Sequence, residues 1–364
     1  MVMPGPERRP FFTIAVPTYD RHDLLRETLH AILAQTFTDF EVIVGNDYTA
    51  ELLTGEVLGI SDPRVRFVNH PQNLREVGNM NALLALAQGR YFTWLFDDDL
   101  YEPDFLFRAH DNLTRTGYPP ALFPSYRVLW ELEPFRPASI SFCPESLFSG
   151  PEFLKSYFSG RLKIVSTSGL FETSVLREVA TPLEELCPSA IGLYSEFLLL
   201  MRCALFERIG FMDAPFVLMR AHTGSWSESN TELNKYQEAG QRLVHRSAQV
   251  FRAPALSDDF RENLLGICRL HLYTYAYKTA KFEIARGNFG PIGAYRSMAR
   301  LAREHVIIRR TYADEADTRG FATYLLFLPI QMKHAMLILG TLAVHWVRKF
   351  HPNFLKLRHP DIGV

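Results

Sequence analysis

The sequence is short of cysteine, with only Cys143, Cys187, Cys203 and Cys268 among 364 residues and no CxxC pair. That excludes a disulfide framework and a thiolate zinc site, and it fits buried thiols in a reducing compartment. Histidine spacing typical of zinc is missing as well. There is no excess of either charge: 39 Lys and Arg stand against 40 Asp and Glu, a net charge of −1, so no general attraction to nucleic acid is expected. The stretch MVMPGPERRPFFTIAV has no long apolar run before a small-residue cleavage site. No signal peptide is expected there, and the cytoplasm is the expected compartment. Internal repeats and low-complexity segments are absent. What remains is the composition of a folded protein, 47% hydrophobic and 22% charged, at a length that suggests two domains.

Strand and helix signals alternate over the first hundred residues. FFTIAVP (11–17), FEVIVGND (40–47), RVRFVNH (64–70) and YFTWLF (91–96) read as strands. Between them, residues 23–35 and 79–91 carry apolar residues at helical spacing. Asp20 or Asp23 is the expected cap of the first of these helices, and Gly89 the expected stop of the second. This order predicts a mostly parallel α/β sheet flanked by helices, with ligands at the carboxyl ends of the strands. Polar clusters fall at those ends: Thr18-Tyr19-Asp20, Asn46-Asp47 and Asp97-Asp98-Asp99. Residues 118–190 are rich in proline and aromatics and read as irregular, with a strand over 126–133. Residues 194–207 read as helix and 212–227 as a strand entering a polar loop. From about residue 231 the pattern is almost wholly helical, broken at 287–291, so a domain 1–230 and a helical region 231–364 are expected.

The aspartate triplet follows directly on Trp94-Leu95-Phe96. Adjacent carboxylates repel, and burial raises the cost. A solvated turn is the plain explanation. A hard divalent cation, Mg2+ or Mn2+, held with a diphosphate is the sharper one. Alternation along an extended chain would put Asp97 and Asp99 on one side and Asp98 on the other, unless a turn begins there.

The segments TIAVPTYDR, LLRETLHAILAQTFTDFEVIVGND, PRVRFVNHPQN, NALLALAQGRYFTWLFDDD, PDF and RAHTGSWS occur in an order and spacing that resembles a family 2 glycosyltransferase of the GT-A fold, over residues 11–227. The resemblance implies that Pro17, Thr18 and Tyr19 lie along a nucleoside and that Asp47 accepts a hydrogen bond from its base. It implies that Asn73 and Asn81 border the nucleotide and donor sugar. Asp97 and Asp99 match the outer pair of the DxD signature, with Asp98 sharing the task. Asp99 and Asp97 are the expected metal ligands, Asp99 first, and Asp97 stands nearer the nucleoside. Arg220 and His222 match a late loop that closes over the diphosphate, His222 also as a metal ligand. The base position falls on Glu196, with Ser195 as its expected N-cap. The family also departs here: Asp20 stands for a frequent Asn, Asn46 for an Asp, Arg75 for a Gly and Met80 for an Arg, with Arg75 offered as the charge Met80 lacks. Trp226 could stack on a sugar, whereas His30 reads as structural or exposed.

These implications amount to a metal-dependent, inverting transfer of a sugar from a nucleotide-diphosphate donor, a UDP-sugar first, to a glycan or lipid-linked acceptor in polysaccharide synthesis. A sugar nucleotidyltransferase is the alternative enzyme, but VPTYDRHD (16–23) lacks the glycines of its phosphate loop. A non-catalytic binding module retaining the fold is the alternative outside enzymes. Residues 321–349 are the most apolar, interrupted by Pro329, Lys333 and His334. They read either as a core helix, packed on the first domain or on a second subunit of a homo-oligomer, or as a peripheral helix at the inner membrane face.

Overall fold

The computed structural model describes residues 9–130, 135–138, 140–179, 183–222, 225, 232–318 and 320–350. They form two compact units. One comprises the chain up to Glu185 with Ser189–Glu228, and the other Leu186–Pro188 with the chain from Ser229 onward.

The first unit runs β1 Phe12–Thr18, α1 His22–Leu33, β2 Phe40–Asn46, α2 Gly55–Leu58, β3 Val65–Asn69, α3 Arg75–Leu86, β4 Tyr91–Trp94, β5 Leu100–Tyr101, α4 Phe105–Arg115, β6 Ala121–Trp130, β7 Glu145–Phe148, α5 Gly150–Phe158, β8 Leu170–Glu172, α6 Thr173–Val179, α7 Ser195–Cys203 and β9 Ile209–Ala221. One nine-stranded sheet orders them β3-β2-β1-β4-β8-β6-β9-β5, with β7 on β9. The first four strands are parallel. Beyond β4 the sheet is mixed, with β8 antiparallel to both β4 and β6, and β9 parallel to β6. β1 is buried along its whole length, which is why its sequence is apolar on both faces.

Register sets the site. Thr18 pairs with Asn46 and Asn46 with Asn69, so three polar strand ends are level. Ala15 pairs with Trp94, so three residues further along, Thr18 and Asp97 come side by side. β4 itself stops at Trp94, earlier than residue 96, and a turn closed by Asp99 N donating to Phe96 O at 3.1 Å carries the triplet.

Several local expectations change. Neither Asp20 nor Asp23 caps α1: Arg21 is the N-cap, without a side-chain cap, and Asp20 is left-handed at φ 53°. Helix α3 begins at Arg75 and ends at Leu86, so Gly89 is not its stop. Gly89 is instead a point of close approach, where a Cβ would lie 2.5 Å from Thr13 N and 2.6 Å from Phe12 C. The strand expected over 126–133 begins at Ala121 and reaches Trp130, and positions 131–133 lie outside the described residues.

The second unit holds α8 Leu233–Phe251, α9 Phe260–Ala285, α10 Pro291–Glu315 and α11 Phe321–Phe350. Gly287, at φ 75°, follows the end of α9, and Pro291 opens α10, where a missing N–H costs nothing. A polar knot lies inside. Glu304 is fully buried and takes His271 Nε2 at 2.9 Å and a hydrogen bond from Gln237 Nε2 at 2.6 Å. Gly240 makes room for that imidazole, since a Cβ there would meet His271 Nδ1 at 1.9 Å.

The β1 contact gives a direct check. Gly89→Ala forces backbone apart and is expected to lower unfolding stability by about 1–3 kcal/mol. A urea midpoint equal to that of the parent would show that the close approach is not constraining.

Candidate active site

Around the Asp97–Asp99 turn, each carboxylate has a different environment. Thr18 Oγ1 donates to Asp97 Oδ2 at 2.7 Å. Arg21 Nη1 reaches Asp97 Oδ1 at 3.3 Å and Asp98 Oδ2 at 2.9 Å. His222 Nε2 lies 3.0 Å from the same Asp98 oxygen. Asp99 Oδ1 accepts the backbone N–H of Arg220 at 3.0 Å. From α1, Thr28 Oγ1 sits 3.0 and 2.9 Å from the carbonyl oxygens of Asp97 and Asp99 and pins the turn.

The triplet therefore sorts differently from simple alternation. Asp98, not Asp99, meets His222. Asp99 is turned into the protein against the end of β9, where burial and then the charge of Asp98 push its carboxyl well above the usual range. Asp98 is the carboxylate of the triplet that stands beside His222, while Asp99 Oδ1 is taken up by the Arg220 N–H. Asp97 is raised to about 6, first by burial and then by Asp98, with Thr18 and Arg21 acting against that rise. Among the described residues no three His, Cys, Asp or Glu side chains gather as a ready metal cage. Asp98 and His222, 3.0 Å apart, are the two side chains at the turn that could serve as ligands to a divalent ion. One feature supports an anionic ligand: Arg220 Nε is buried without a hydrogen-bond partner, while its Nη2 donates to Glu27 Oε2 at 2.6 Å.

The neighbouring strand ends are shaped by backbone accounting. Asp47 N donates to Thr18 O at 3.1 Å, and Asp47 Oδ1 accepts from Leu74 N at 2.6 Å. Tyr19 meets Tyr48 edge-on at 5.3 Å. Pro17 is buried in β1. Asn46 donates through Nδ2 to Glu51 O and to Asn69 Oδ1, both at 2.8 Å, which an aspartate could not do. Its departure from the family pattern thus has a structural cause. Asn73 is exposed and accepts from Arg75 N at 2.8 Å. Asn81 spends both ends of its amide on Leu183, at 3.0 Å to the carbonyl and 2.7 Å from the N–H. It anchors that segment. Arg75 does not serve Met80's place: it pairs with Glu185 at 2.7 Å, while Met80 is buried.

Glu196 lies in the first turn of α7 and is only partly exposed. Ser195 does not cap it. Tyr194 is the N-cap, left-handed at φ 62°, and Ser195 Oγ donates to Glu184 O at 2.7 Å. Burial, then the charge of Glu76, raises Glu196 to about 7. Glu76, which no motif marks, occupies the first turn of α3 just after Arg75, itself left-handed at φ 61°. Its Oε1 accepts from Gly192 N at 3.2 Å, and burial raises it to about 7, with Asp97 and Asp98 contributing. Sequence reading missed Glu76 and Arg21; only the cation in TYDR, directly after the first polar cluster, offered a signal. Trp226 lies outside the described residues.

Residues 13–178 match the family model described as Glycosyl transferase family 2. A glycosyl transferase assigned to colanic acid biosynthesis in Escherichia coli K12, WcaA, is 28% identical over 159 residues, 42% of this chain and 56% of that protein. The succinoglycan biosynthesis protein ExoO of Rhizobium meliloti is 32% identical over 114 residues, 31% of this chain and 33% of its own length. The chain thus spans 56% and 33% of the length of these relatives. Among solved structures, S. aureus TarS aligns with a TM-score of 0.55 at 14% identity, over 84% of this chain and 53% of that one. TarS 1-349 in complex with UDP-GlcNAc aligns with a TM-score of 0.50 at 14% identity, over 85% and 93%. At that identity the likeness is one of fold, and the fold is GT-A.

The raised carboxylates predict a sign for stability. A carboxyl lifted from its ordinary range to about 7 in the folded state binds its proton more tightly when folded. Stability from that group is full below the unfolded value and falls as pH rises to about 7. Glu196→Gln removes the penalty. Its unfolding free energy should match the parent near pH 4.5 and exceed it at pH 8, by about 1–3 kcal/mol. A variant less stable than the parent at pH 8 would contradict the buried, raised carboxyl.

Proposed function

Because residues 13–178 form a glycosyl transferase family 2 domain, we propose that this protein moves a sugar from a nucleotide-diphosphate donor, a UDP-sugar first, to a hydroxyl of a glycan or lipid-linked acceptor in polysaccharide synthesis. The observation that carries the reading is the convergence of Thr18, Arg21, Arg220 and His222 on the Asp97–Asp99 turn at the carboxyl edge of the parallel strands. Two relatives bear the names of colanic acid and succinoglycan biosynthesis, and TarS 1-349 was solved with UDP-GlcNAc, which supports the donor and product classes.

In this reading Pro17, Thr18 and Tyr19 line the nucleoside and Asp47 takes a hydrogen bond from its base through the oxygen that Leu74 does not occupy. Asp97 stands nearest the ribose. Asn73 borders the nucleotide. Asp98 and His222 would hold Mn2+ or Mg2+, and an imidazole among the donors favours Mn2+. When bound, the ion supplies charge stabilisation to the leaving diphosphate. The buried Arg220 Nε donates to a phosphate oxygen. Glu196 is the base. Its carboxylate takes the proton of the acceptor hydroxyl as that oxygen bonds to the anomeric carbon from the face opposite the nucleotide. The carbon–oxygen bond to the diphosphate breaks, and its electron pair leaves with the nucleotide, so the anomeric centre inverts. A carboxyl near 7 is matched to this task at neutral pH.

The tests separate donor binding from chemistry. A thermal-shift panel of nucleoside diphosphates with and without Mn2+ should show stabilisation by UDP that depends on the metal, about 2.7 kcal/mol at a hundredfold excess over Kd. Silence toward every nucleotide would overturn the reading. Glu196→Gln should keep the UDP response and lose about 10²–10⁴ in kcat. In the parent, kcat should rise with pH through about 7, as the base loses its proton. A Glu196→Gln enzyme at parental kcat would remove Glu196 from the mechanism.

A further inference from the structure

Helix α11 is apolar on every side, although only one side is packed. Thr323, Phe327, Ile330, His334, Ile338 and Leu342 are buried, three or four residues apart, on a single face. That face meets α9 and α10. The outward face carries Leu325, Leu328, Met332, Met336 and Leu339, with Met332 63% and Met336 73% exposed. Phe321–Val347 is long and apolar enough to cross a membrane by length and composition. A helix that is hydrophobic all round is either enclosed or in lipid, and a continuous outward stripe is more than scattered surface apolar residues.

The charges that the helix itself carries have one sign. Between positions 321 and 350 the sequence has Lys333, Arg348 and Lys349 and no acidic residue. At the corner between α10 and α11 a cavity of about 350 Å³ is lined by Arg309, Arg310, Ala313, Asp314, Gly320 and Thr323. The Arg309 guanidinium stands over the Tyr324 ring at 5.1 Å, next to the start of the stripe. We propose that this face of the helical unit lies on an anionic lipid bilayer, with the α11 stripe at the acyl boundary and Arg309 and Arg310 at the level of the phosphates. The helix lies on the surface and does not cross it. Its inner face packs on α10, whose Arg296, Arg300, Arg303 and Glu304 would otherwise enter hydrocarbon. Cations of one sign along the stripe also favour an anionic partner over a second copy of the same helix. The inference is independent of the glycosyl-transfer reading.

The experiment is sedimentation of the purified full chain with vesicles of phosphatidylcholine alone or with phosphatidylglycerol at three to one. Light scattering gives the oligomeric state. The parent should pellet at least tenfold more with the anionic vesicles, and less at high salt. Leu325→Ser, Met332→Ser and Met336→Ser together should abolish pelleting while leaving the circular-dichroism melt unchanged. Arg309→Gln with Arg310→Gln should weaken only the anionic preference, by about fivefold per arginine. Absence of pelleting, equal pelleting on both vesicles, or a dimer that the serine variant splits would each overturn the proposal. The last would assign the stripe to a second copy.

Discussion

Desolvated carboxylates crowded at one sheet edge are the constraint on which the site depends. Asp97, Asp98 and Asp99 are all buried; Asp98 raises the cost of ionising both neighbours, and Asp97 raises that of Asp99. The protein meets that cost in three ways. Arg21 shares its guanidinium between Asp97 and Asp98. Asp99 takes a backbone N–H from Arg220 and favours its neutral form. Asp98 keeps His222 beside it, a pair that a cation and a diphosphate could complete. Arg220 Nε beside them stays buried and unsatisfied.

A second acidic pair extends the same logic. Glu76 and Glu196 each sit in the first turn of a helix entered through a left-handed, non-glycine residue, Arg75 and Tyr194. Such backbone costs on the order of 1 kcal/mol and persists only where surrounding structure enforces it. Here Glu185 holds Arg75, and Gly192 ties the approach to α7 onto Glu76. Burial raises both carboxyls to about 7.

The helical unit has an apolar interior with a polar cluster enclosed in it. Its centre holds Glu304, His271 and Gln237 in a satisfied hydrogen-bonded knot, while its last helix shows methionines and leucines outward. Burying the polar set fixes which faces of α8, α9 and α10 meet, because an unpaired Glu304 would be costly. The apolar surplus is left on α11.

The sequence by itself determined the α/β order, the three polar strand ends, the acidic triplet and the helical second unit, because burial on both faces of a parallel strand and helical spacing leave period patterns in any single chain. It also marked Glu196, through resemblance. It did not show which carboxylate of the triplet lies beside His222, since a turn beginning at Asp97 abolishes the alternation along the strand. The bonding of Asn81 to Leu183 was not legible, because that partner is about a hundred residues away and invisible to local pattern. Glu76 had no motif because its meaning lies in Gly192 and Glu196, brought to it only by packing of α3 against the approach to α7. Tertiary structure alone decided which carboxylates ionise, for that depends on burial and neighbours across the sheet, and neither is a property of the chain read along its length.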